Sequence, residues 1–90
     1  MEMNKMDKMD KIWKILMDTR IEIIKARFKY SEYAEVYALN YDEAFNHYGI
    51  NGLKTQVLYV QSNLTYWRGE TARAVKLDLK NAVKLMESVQ

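Results

Sequence analysis

The chain contains no proline, and its three glycines, Gly49, Gly52 and Gly69, all lie between positions 49 and 69. Proline and glycine are the residues that most often interrupt helices, and the turns that join the strands of a sandwich or barrel are rich in both. A chain without them before position 49 is expected to form long helices. The distribution predicts an all-α fold and argues against a β-sandwich, a β-barrel or a disordered linker.

Apolar and aromatic residues recur at helical spacing over the first half of the chain. Every seventh position from 9 to 44 carries an apolar or aromatic side chain, and several positions three and four residues further on continue the stripe. Residues at these spacings share one face of a helix. Because no glycine or proline interrupts it, the pattern predicts one long helix over about residues 4–47.

Two places within this first helix leave alternatives open. Asn40, followed three residues later by Glu43, fits an N-cap with an acid at the third position, which would produce a kink or a new short helix near residue 40. A turn at Tyr30, Ser31 and Glu32 would instead give three helices within a monomer. The spacing of the apolar residues does not choose between these alternatives.

The strongest turn signal is the tetrapeptide at 49–52, which begins and ends with glycine and has Asn51 at its third position. Glycine suits the left-handed backbone at a helix C-terminus, and asparagine is favoured as an N-cap. The apolar residues that follow have a mean spacing near 3.6, so a second helix is predicted over about residues 52–88. Gly69 lies inside it, at a cost of about 1 kcal/mol relative to alanine.

The length of these helices has a consequence for assembly. A helix of about 40 residues is about 60 Å long, and two such helices packed as a hairpin cannot enclose a core. We therefore predict a homodimer, in which two hairpins form an elongated antiparallel four-helix bundle with coiled-coil packing. Charge supports this arrangement, because residues 31–50 carry four acids and no Lys or Arg, whereas both ends are basic. The whole chain, 1–90, is predicted to be a single helical domain.

Groups that perform catalysis are scarce, since the chain has one histidine and no cysteine. A Cys/His pair is impossible, and a Ser/His/Asp triad could use only His47. Glu43 and His47 are four residues apart and could begin a metal site, although a solvated acid and a histidine near a helix end explain them more simply. We expect no enzymatic activity, no cofactor and no metal.

Segments for membrane insertion or export are not evident. The apolar runs are short and interrupted by charges, far below the roughly 18–20 residues of a membrane span. The N-terminus has an acid at position 2, and no apolar stretch typical of a signal peptide follows. We expect a cytoplasmic protein without a membrane partner.

Tyrosine recurs at helical spacing in the acidic middle of the chain, at Tyr33, Tyr37 and Tyr41. Tyrosine offers a rigid contact surface with a polar tip, so this stripe is a candidate partner-binding surface. The alternative is a semi-polar seam of the bundle, in which the rings pack and the hydroxyls reach water. As a docking site, the acidic surroundings over 30–48 favour a basic partner.

A second candidate partner-binding segment lies at 66–70. It contains Tyr66, Trp67 and Arg68, which are residue types enriched in interface hot spots. Gly69 would expose the backbone beside them to another chain. The alternative is that Gly69 permits a close crossing of helices, with Trp67 buried in the core.

Basic residues form two stripes that would converge at the open end of the hairpin. Such stripes can bind the phosphates of nucleic acid, although acids interleave with the bases and a solvated face accounts for the pattern. The candidate nucleic-acid-binding residues are Lys8, Lys11, Arg73, Lys76, Lys80 and Lys84.

The stretches from Gly52 to Tyr59 and from Ser62 to Glu70 resemble small α-helical accessory proteins encoded by phages and prophages of Gram-positive bacteria. The resemblance implies an accessory protein in the cytoplasm of a bacterial host and transfers no catalytic residue. Together with the candidate surfaces, it predicts a non-enzymatic protein–protein interaction module that acts as an inhibitor or adaptor of a host or phage protein. The alternatives are a nucleic-acid-associated accessory protein that uses the lysine-rich end, and a structural assembly protein.

Overall fold

The computed structural model describes residues 4–27, 29 and 31–89. Within this part of the chain the secondary structure is helical, with no strand. The prediction of an all-α fold is confirmed. The helices are α1 (Lys5–Ala26), α2 (Glu32–Leu39), α3 (Tyr41–Ser62) and α4 (Glu70–Ser88).

The long helix predicted over 4–47 is wrong in its extent, because α1 ends at Ala26. The helix begins at Asn4, whose side-chain Oδ1 accepts a hydrogen bond of 2.8 Å from the backbone N–H of Asp7. The C-cap residue of α1 is Arg27, which has a left-handed backbone (φ 38°). Its N–H donates to the carbonyl of Ile23 at 3.4 Å. A left-handed conformation costs a non-glycine residue about 1–2 kcal/mol. The packing of the later helices must therefore favour the reversal of the chain at this point.

A further break separates α2 from α3 at Asn40, the position of the alternative N-cap. The side chain of Asn40 does not cap α3. Its Nδ2 instead donates to the carbonyl of Val36 at 2.7 Å. Asn40 therefore acts at the end of α2, where it satisfies a backbone carbonyl, and not at the start of α3. The break lies at the position that the sequence indicated, but its local cause is different.

Gly49 divides α3 into two parts, which we call α3N (residues 41–48) and α3C (residues 50–62). Its φ of 68° and ψ of −154° lie outside the helical region, in a region that is essentially restricted to glycine. The chain reverses here, since Gln56 in α3C donates from Nε2 to the carbonyl of Tyr37 in α2 at 3.0 Å. This reversal occurs at the first residue of the predicted turn.

The second long helix, predicted over 52–88, is also wrong in its extent. It ends at Ser62, and a turn over 63–69 separates it from α4. Hydroxyl and amide side chains bond back to the helix end: Ser62 Oγ and Asn63 Nδ2 donate to the carbonyl of Tyr59 at 2.9 and 2.8 Å, and Thr65 Oγ1 donates to that of Ser62 at 3.0 Å. Such side chains offer the backbone an alternative to continued helix.

These breaks let one chain form an antiparallel bundle of four helical segments, namely α1, α2 together with α3N, α3C, and α4. α1 packs against α4 and α2, and α3 packs against α2 and α4, which closes a ring. The rings of Trp13 and Phe45 meet edge to face at 5.6 Å between α1 and α3N, and Lys54 of α3C lies 3.6 Å from Glu87 of α4. The buried apolar core draws on all four segments, with members such as Leu16, Ala38, Leu53 and Leu79.

This core removes the premise on which the dimer was predicted. A hairpin of two long helices has no enclosed core, whereas the four segments of this chain enclose one within dimensions of about 39 × 29 × 17 Å. The predicted two-helix hairpin is therefore wrong, and the four-helix arrangement comes from a single chain. Closing a turn within one chain costs little entropy, so burial inside the chain competes well with burial against a second copy.

Candidate protein-docking groove

Two shallow depressions follow one another along the surface between α2/α3N and α3C. One is lined by residues near the turn at 63–66, and the other extends to His47 and Tyr48 near the reversal at Gly49. We call the surface that they form the tyrosine groove. Its tyrosines are Tyr33, Tyr37, Tyr48, Tyr59 and Tyr66.

Helical spacing and the reversal at Gly49 together assemble this groove. On one side, positions 33, 37, 40, 44, 47 and 48 share a face that continues from α2 into α3N. On the other, positions 55, 59, 62 and 66 follow α3C and the turn after it. Residues three and four apart lie on one helix face, so the antiparallel pair presents two facing stripes.

The floor of the groove is held by contacts between its two sides. The rings of Tyr37 and Tyr59 lie 5.1 Å apart with an interplanar angle of 34°. The hydrogen bond from Gln56 to the carbonyl of Tyr37 adds a polar contact beside them. Aromatic pairs at this separation contribute about 0.5–1.5 kcal/mol beyond their buried area, so the floor is fixed before any partner binds.

The rim of the groove exposes large apolar surfaces. Tyr33, Tyr48 and Tyr66 are exposed by 65%, 76% and 69%, and Val36 adds a half-exposed aliphatic side chain to the lining. Scattered exposed apolar residues are normal on a protein surface, but contiguous patches mark interaction sites. The concentration of rings in one groove makes this surface the candidate docking site of the described chain.

Charge is distributed unequally between the two sides. From Ala44 to Trp67 the sequence contains one charged residue besides His47, namely Lys54. Lys54 points away from the groove, toward Glu87 of α4. The α3C side is therefore uncharged, and the acids of the groove, Glu32 and Glu43, both lie on the α2/α3N side.

Two basic groups accompany these acids. Glu43 Oε1 lies 3.8 Å from Nε2 of His47, and both side chains are largely exposed. Lys29 lines the end of the groove that contains Glu32. Among the described residues no group of three or more His, Asp and Glu side chains is arranged to hold a metal ion, so the Glu43–His47 pair lacks a further ligand.

Of the predicted tyrosines, Tyr33, Tyr37 and Tyr66 lie in the groove, but the prediction for Tyr41 is wrong. Tyr41 is fully buried in the core. Within α2 a step of four residues rotates a side chain by about 40° around the helix, from exposed Tyr33 to half-buried Tyr37. The break at Asn40 then places Tyr41 in the core. The Tyr41 hydroxyl has no hydrogen-bond partner among the described residues, and burial raises its pKa well above the usual value.

The segment at 66–70 is divided between the core and two surfaces. Trp67 is buried against the core, so its assignment to partner binding is wrong, and the part of the alternative that places Trp67 in the core is correct. Its carbonyl accepts a hydrogen bond of 2.6 Å from Nζ of Lys76. Arg68 and Gly69 are exposed in a separate depression between α1 and α4, away from Tyr66.

Gly69 does not permit a close helix crossing, contrary to the interpretation of the sequence. No atom lies within 4 Å of the position that an added Cβ would occupy. The residue stands before α4 with a φ of 113°, a backbone conformation that side chains disfavour. Gly69 is therefore explained by the backbone of the turn.

Sequence reasoning missed two members of the groove, Tyr48 and Tyr59. Tyr59 and Tyr66 are seven residues apart, and the segment around them is almost free of charge, which is a signal that the sequence carries. Neither the spacing nor the low charge could show that these tyrosines face α2, because that depends on the reversal at Gly49.

The predicted nucleic-acid residues are spread along α1 and α4 rather than gathered at one site. Lys11 and Lys84 line a common depression, which also contains Asp78. Lys8 precedes this depression on α1, while Arg73 and Lys80 are exposed at other points of α4. Lys76 is half-buried and bonded to the carbonyl of Trp67.

The comparisons with known proteins give no further guide to this site. No family model, curated protein or solved structure matches the chain. The resemblance of residues 52–70 to small phage proteins stays a prediction. Within the described residues, no helix is both long enough and apolar enough to cross a membrane.

Proposed function

We propose that this protein is a non-enzymatic protein–protein interaction module, whose tyrosine groove binds a segment of a partner protein. The observation that carries the proposal is the collection of five tyrosines along one surface groove, with an almost uncharged stretch of chain on one side. Protein interfaces are enriched in aromatic residues and depleted of charge at their centres. This groove has both properties. Among the described residues, α1 and α4 carry no comparable surface.

The biological role that we propose is that of an inhibitor or adaptor, made by a phage or another mobile element and acting on a host or phage protein in the cytoplasm. The resemblance of residues 52–70 to small phage and prophage proteins supports this role. Glu43 and His47 form an exposed pair in the groove, and the hydroxyl groups that line the same depression belong to Thr55 and to tyrosines. A binding role requires no further chemical group.

The test is a pull-down from bacterial lysate that compares two double variants. Tyr33→Ala/Tyr66→Ala removes two exposed rings from the groove, and we expect it to lose the captured protein. Ile21→Ala/Leu77→Ala removes two apolar side chains of similar exposure, 54% and 57%, that lie outside the groove. The control should retain the captured protein. Equal capture by both variants would contradict the proposal, provided that both unfold at the wild-type temperature.

A nucleic-acid-associated role is the second candidate, supported by Lys11 and Lys84 in one depression. Binding through phosphates becomes weaker as salt rises, because neutralised phosphates release their counterions. We expect a Lys11→Gln/Lys84→Gln variant to reduce both the affinity for duplex DNA and its salt dependence if this role holds. Affinity that does not respond to salt would exclude it.

Self-association into a homodimer or a larger structural assembly is the rival use of the same groove. Two grooves that face each other place Glu32 and Glu43 of one copy either beside the same acids of the other or beside its uncharged α3C side. The first arrangement is destabilised by contact between like charges and the second leaves the acids without a basic partner, so this occupant ranks below a separate partner. Light scattering at micromolar concentration tests it, and a mass of one chain would exclude the homodimer.

A further inference from the structure

We infer that the partner segment is an amphipathic helix with apolar anchors on one face and basic residues along one edge. The inference rests on the proposed function and specifies the chemistry of the partner. It follows from three properties of the tyrosine groove, namely the kind of backbone that forms it, its length and the position of its acids.

The backbone of the groove excludes recognition by strand addition. An extended peptide binds by strand addition only where a sheet edge offers unpaired N–H and C=O groups. Both sides of this groove are mainly α-helical, and helices bond these groups internally. The groove therefore offers mainly side chains, and among the recognition modes that use side chains, a helix laid between two antiparallel helices fits its paired helical sides.

The rings along the groove define what the face of the partner must contain. Tyr33 and Tyr66 stand near one end, Tyr37 and Tyr59 form the floor, and Tyr48 stands near the other end. Rings of this kind receive aliphatic or aromatic anchors that a helix presents at i, i+3, i+4 and i+7. The partner face is therefore apolar.

The acids define one edge of the partner. Glu32 and Glu43 both lie on the α2/α3N side, whereas Thr55, Gln56 and Ser62 on the α3C side are uncharged. Glu32 and Glu43 are eleven residues apart, which corresponds to about 16 Å along a helix axis. A partner helix in this groove spans the same distance with three turns, so bases at i, i+4, i+7 and i+11 on one edge match both acids.

The remaining charges decide between this partner and its rivals. Lys29 lines the same depression as Glu32 and offsets part of its charge, so the groove has two acids against one lysine. A nucleic acid would meet these acids with its phosphates, which is unfavourable. A second copy would meet them with its own acids or with its uncharged α3C side, and neither supplies a basic edge.

The experiment uses two labelled peptides of about 18 residues, which is about 27 Å of helix, and the full chain. Both peptides carry the same leucine stripe, and one has lysines along one edge where the other has glutamates. Fluorescence anisotropy at physiological salt gives their affinities. We expect the lysine peptide to bind at least about tenfold more tightly, the size of effect that contacts between charges produce at an interface.

Matched variants then locate the source of the preference. Glu32→Gln/Glu43→Gln removes the acids of the groove, and we expect the preference to fall to about threefold or less. Glu35→Gln/Asp42→Asn makes the same change in charge within the first turns of the same helices, but at positions that do not line the groove. This control should keep most of the preference, because salt screens charges that are not in contact.

The outcomes separate this inference from the proposed function. If both peptides bind equally and Tyr33→Ala/Tyr66→Ala weakens both, the groove binds a helix but the basic edge is wrong. If neither peptide binds, the inference is overturned, while the proposed function is judged by the pull-down alone. A mass of two chains that Tyr33→Ala/Tyr66→Ala reduces to one would identify a second copy as the occupant and would also overturn the inference.

Discussion

The two halves of the bundle differ in what they present to their surroundings. α1 and α4 contain 17 charged residues among 41, and their outer faces carry pairs such as Lys14–Asp18 at 3.0 Å. α2 and α3 contain five charged residues among 30, and their outer face carries the tyrosine groove. Both halves supply apolar residues to the same core.

This difference shows how one small fold separates stability from recognition. The α1/α4 half satisfies its outer face with water and with exposed ion pairs, which add little to stability. The α2/α3 half leaves rings exposed that no part of the described chain covers, and fixes them through the Tyr37–Tyr59 pair and the reversal at Gly49. The following changes test that separation, from the largest expected effect to the smallest.

The largest effect is expected in the core of the α1/α4 half. Leu79 is fully buried, and truncation to alanine should lower the free energy of unfolding by about 2–5 kcal/mol, because it removes apolar contacts and leaves a cavity. Leu77 lies two residues away on α4 but is exposed, so Leu77→Ala should cost less than about 0.5 kcal/mol. Urea unfolding of both variants measures the difference, and equal losses would contradict the assignment of the buried face.

The next effect concerns the reversal that forms the α2/α3 half. Gly49→Ala should destabilise the protein by about 1–3 kcal/mol, because alanine disfavours the backbone conformation at this position. The space around an added Cβ is open, so Gly49→Leu should cost about as much as Gly49→Ala. A much larger loss for leucine in thermal unfolding would mean that packing, rather than backbone conformation, requires glycine.

A gain in stability is expected at Tyr41, where the tyrosine stripe enters the core. Tyr41→Phe removes a buried hydroxyl that has no described hydrogen-bond partner, while the ring is kept. An unsatisfied buried polar group costs about 1–3 kcal/mol, so the variant should be as stable as the wild type or up to about that much more stable. A clear loss in urea unfolding would show that the hydroxyl is satisfied in solution.

The same residue predicts a response to high pH. Burial raises the pKa of Tyr41 in the folded chain, so the folded state keeps the proton at a pH where the unfolded state loses it. The contribution to stability is complete below about pH 10 and decreases as pH rises further. The melting temperature of the wild type should fall more steeply than that of Tyr41→Phe between about pH 10 and 12; parallel curves would count against a buried, neutral Tyr41.

The smallest effect on stability is expected on the rim of the groove. Tyr33→Ala and Tyr66→Ala remove exposed rings, so each should change the free energy of unfolding by about 0.5 kcal/mol or less. Helical circular dichroism and urea unfolding measure this. A loss above about 2 kcal/mol would mean that these rings stabilise the fold, as the residues of the core do.

Parts of the candidate site were within reach of the sequence. The helical spacing of Tyr33 and Tyr37, and the glycine at the reversal, indicated a tyrosine surface near an acidic segment. The cluster of Ser62, Asn63 and Thr65 was a signal for the end of α3, since such side chains bond back to the helix backbone. The break between α1 and α2 was open as an alternative turn at Tyr30, Ser31 and Glu32, but its position directly after Ala26 had no signal, because no glycine or proline is present there.

The sequence by itself determined that this chain is helical, that it reverses near Gly49, and that its charge is low between Ala44 and Trp67. These properties follow from local preferences of backbone and side chain. The tertiary structure alone decided that the chain bends back after Ala26, that Tyr41 belongs to the core while Tyr33 stays outside, and that Tyr59 faces Tyr37. Propensities differ by only tenths of a kcal/mol per residue, whereas burial of one large apolar side chain contributes about 1.5–3 kcal/mol, so packing chose among arrangements that the local sequence permits equally.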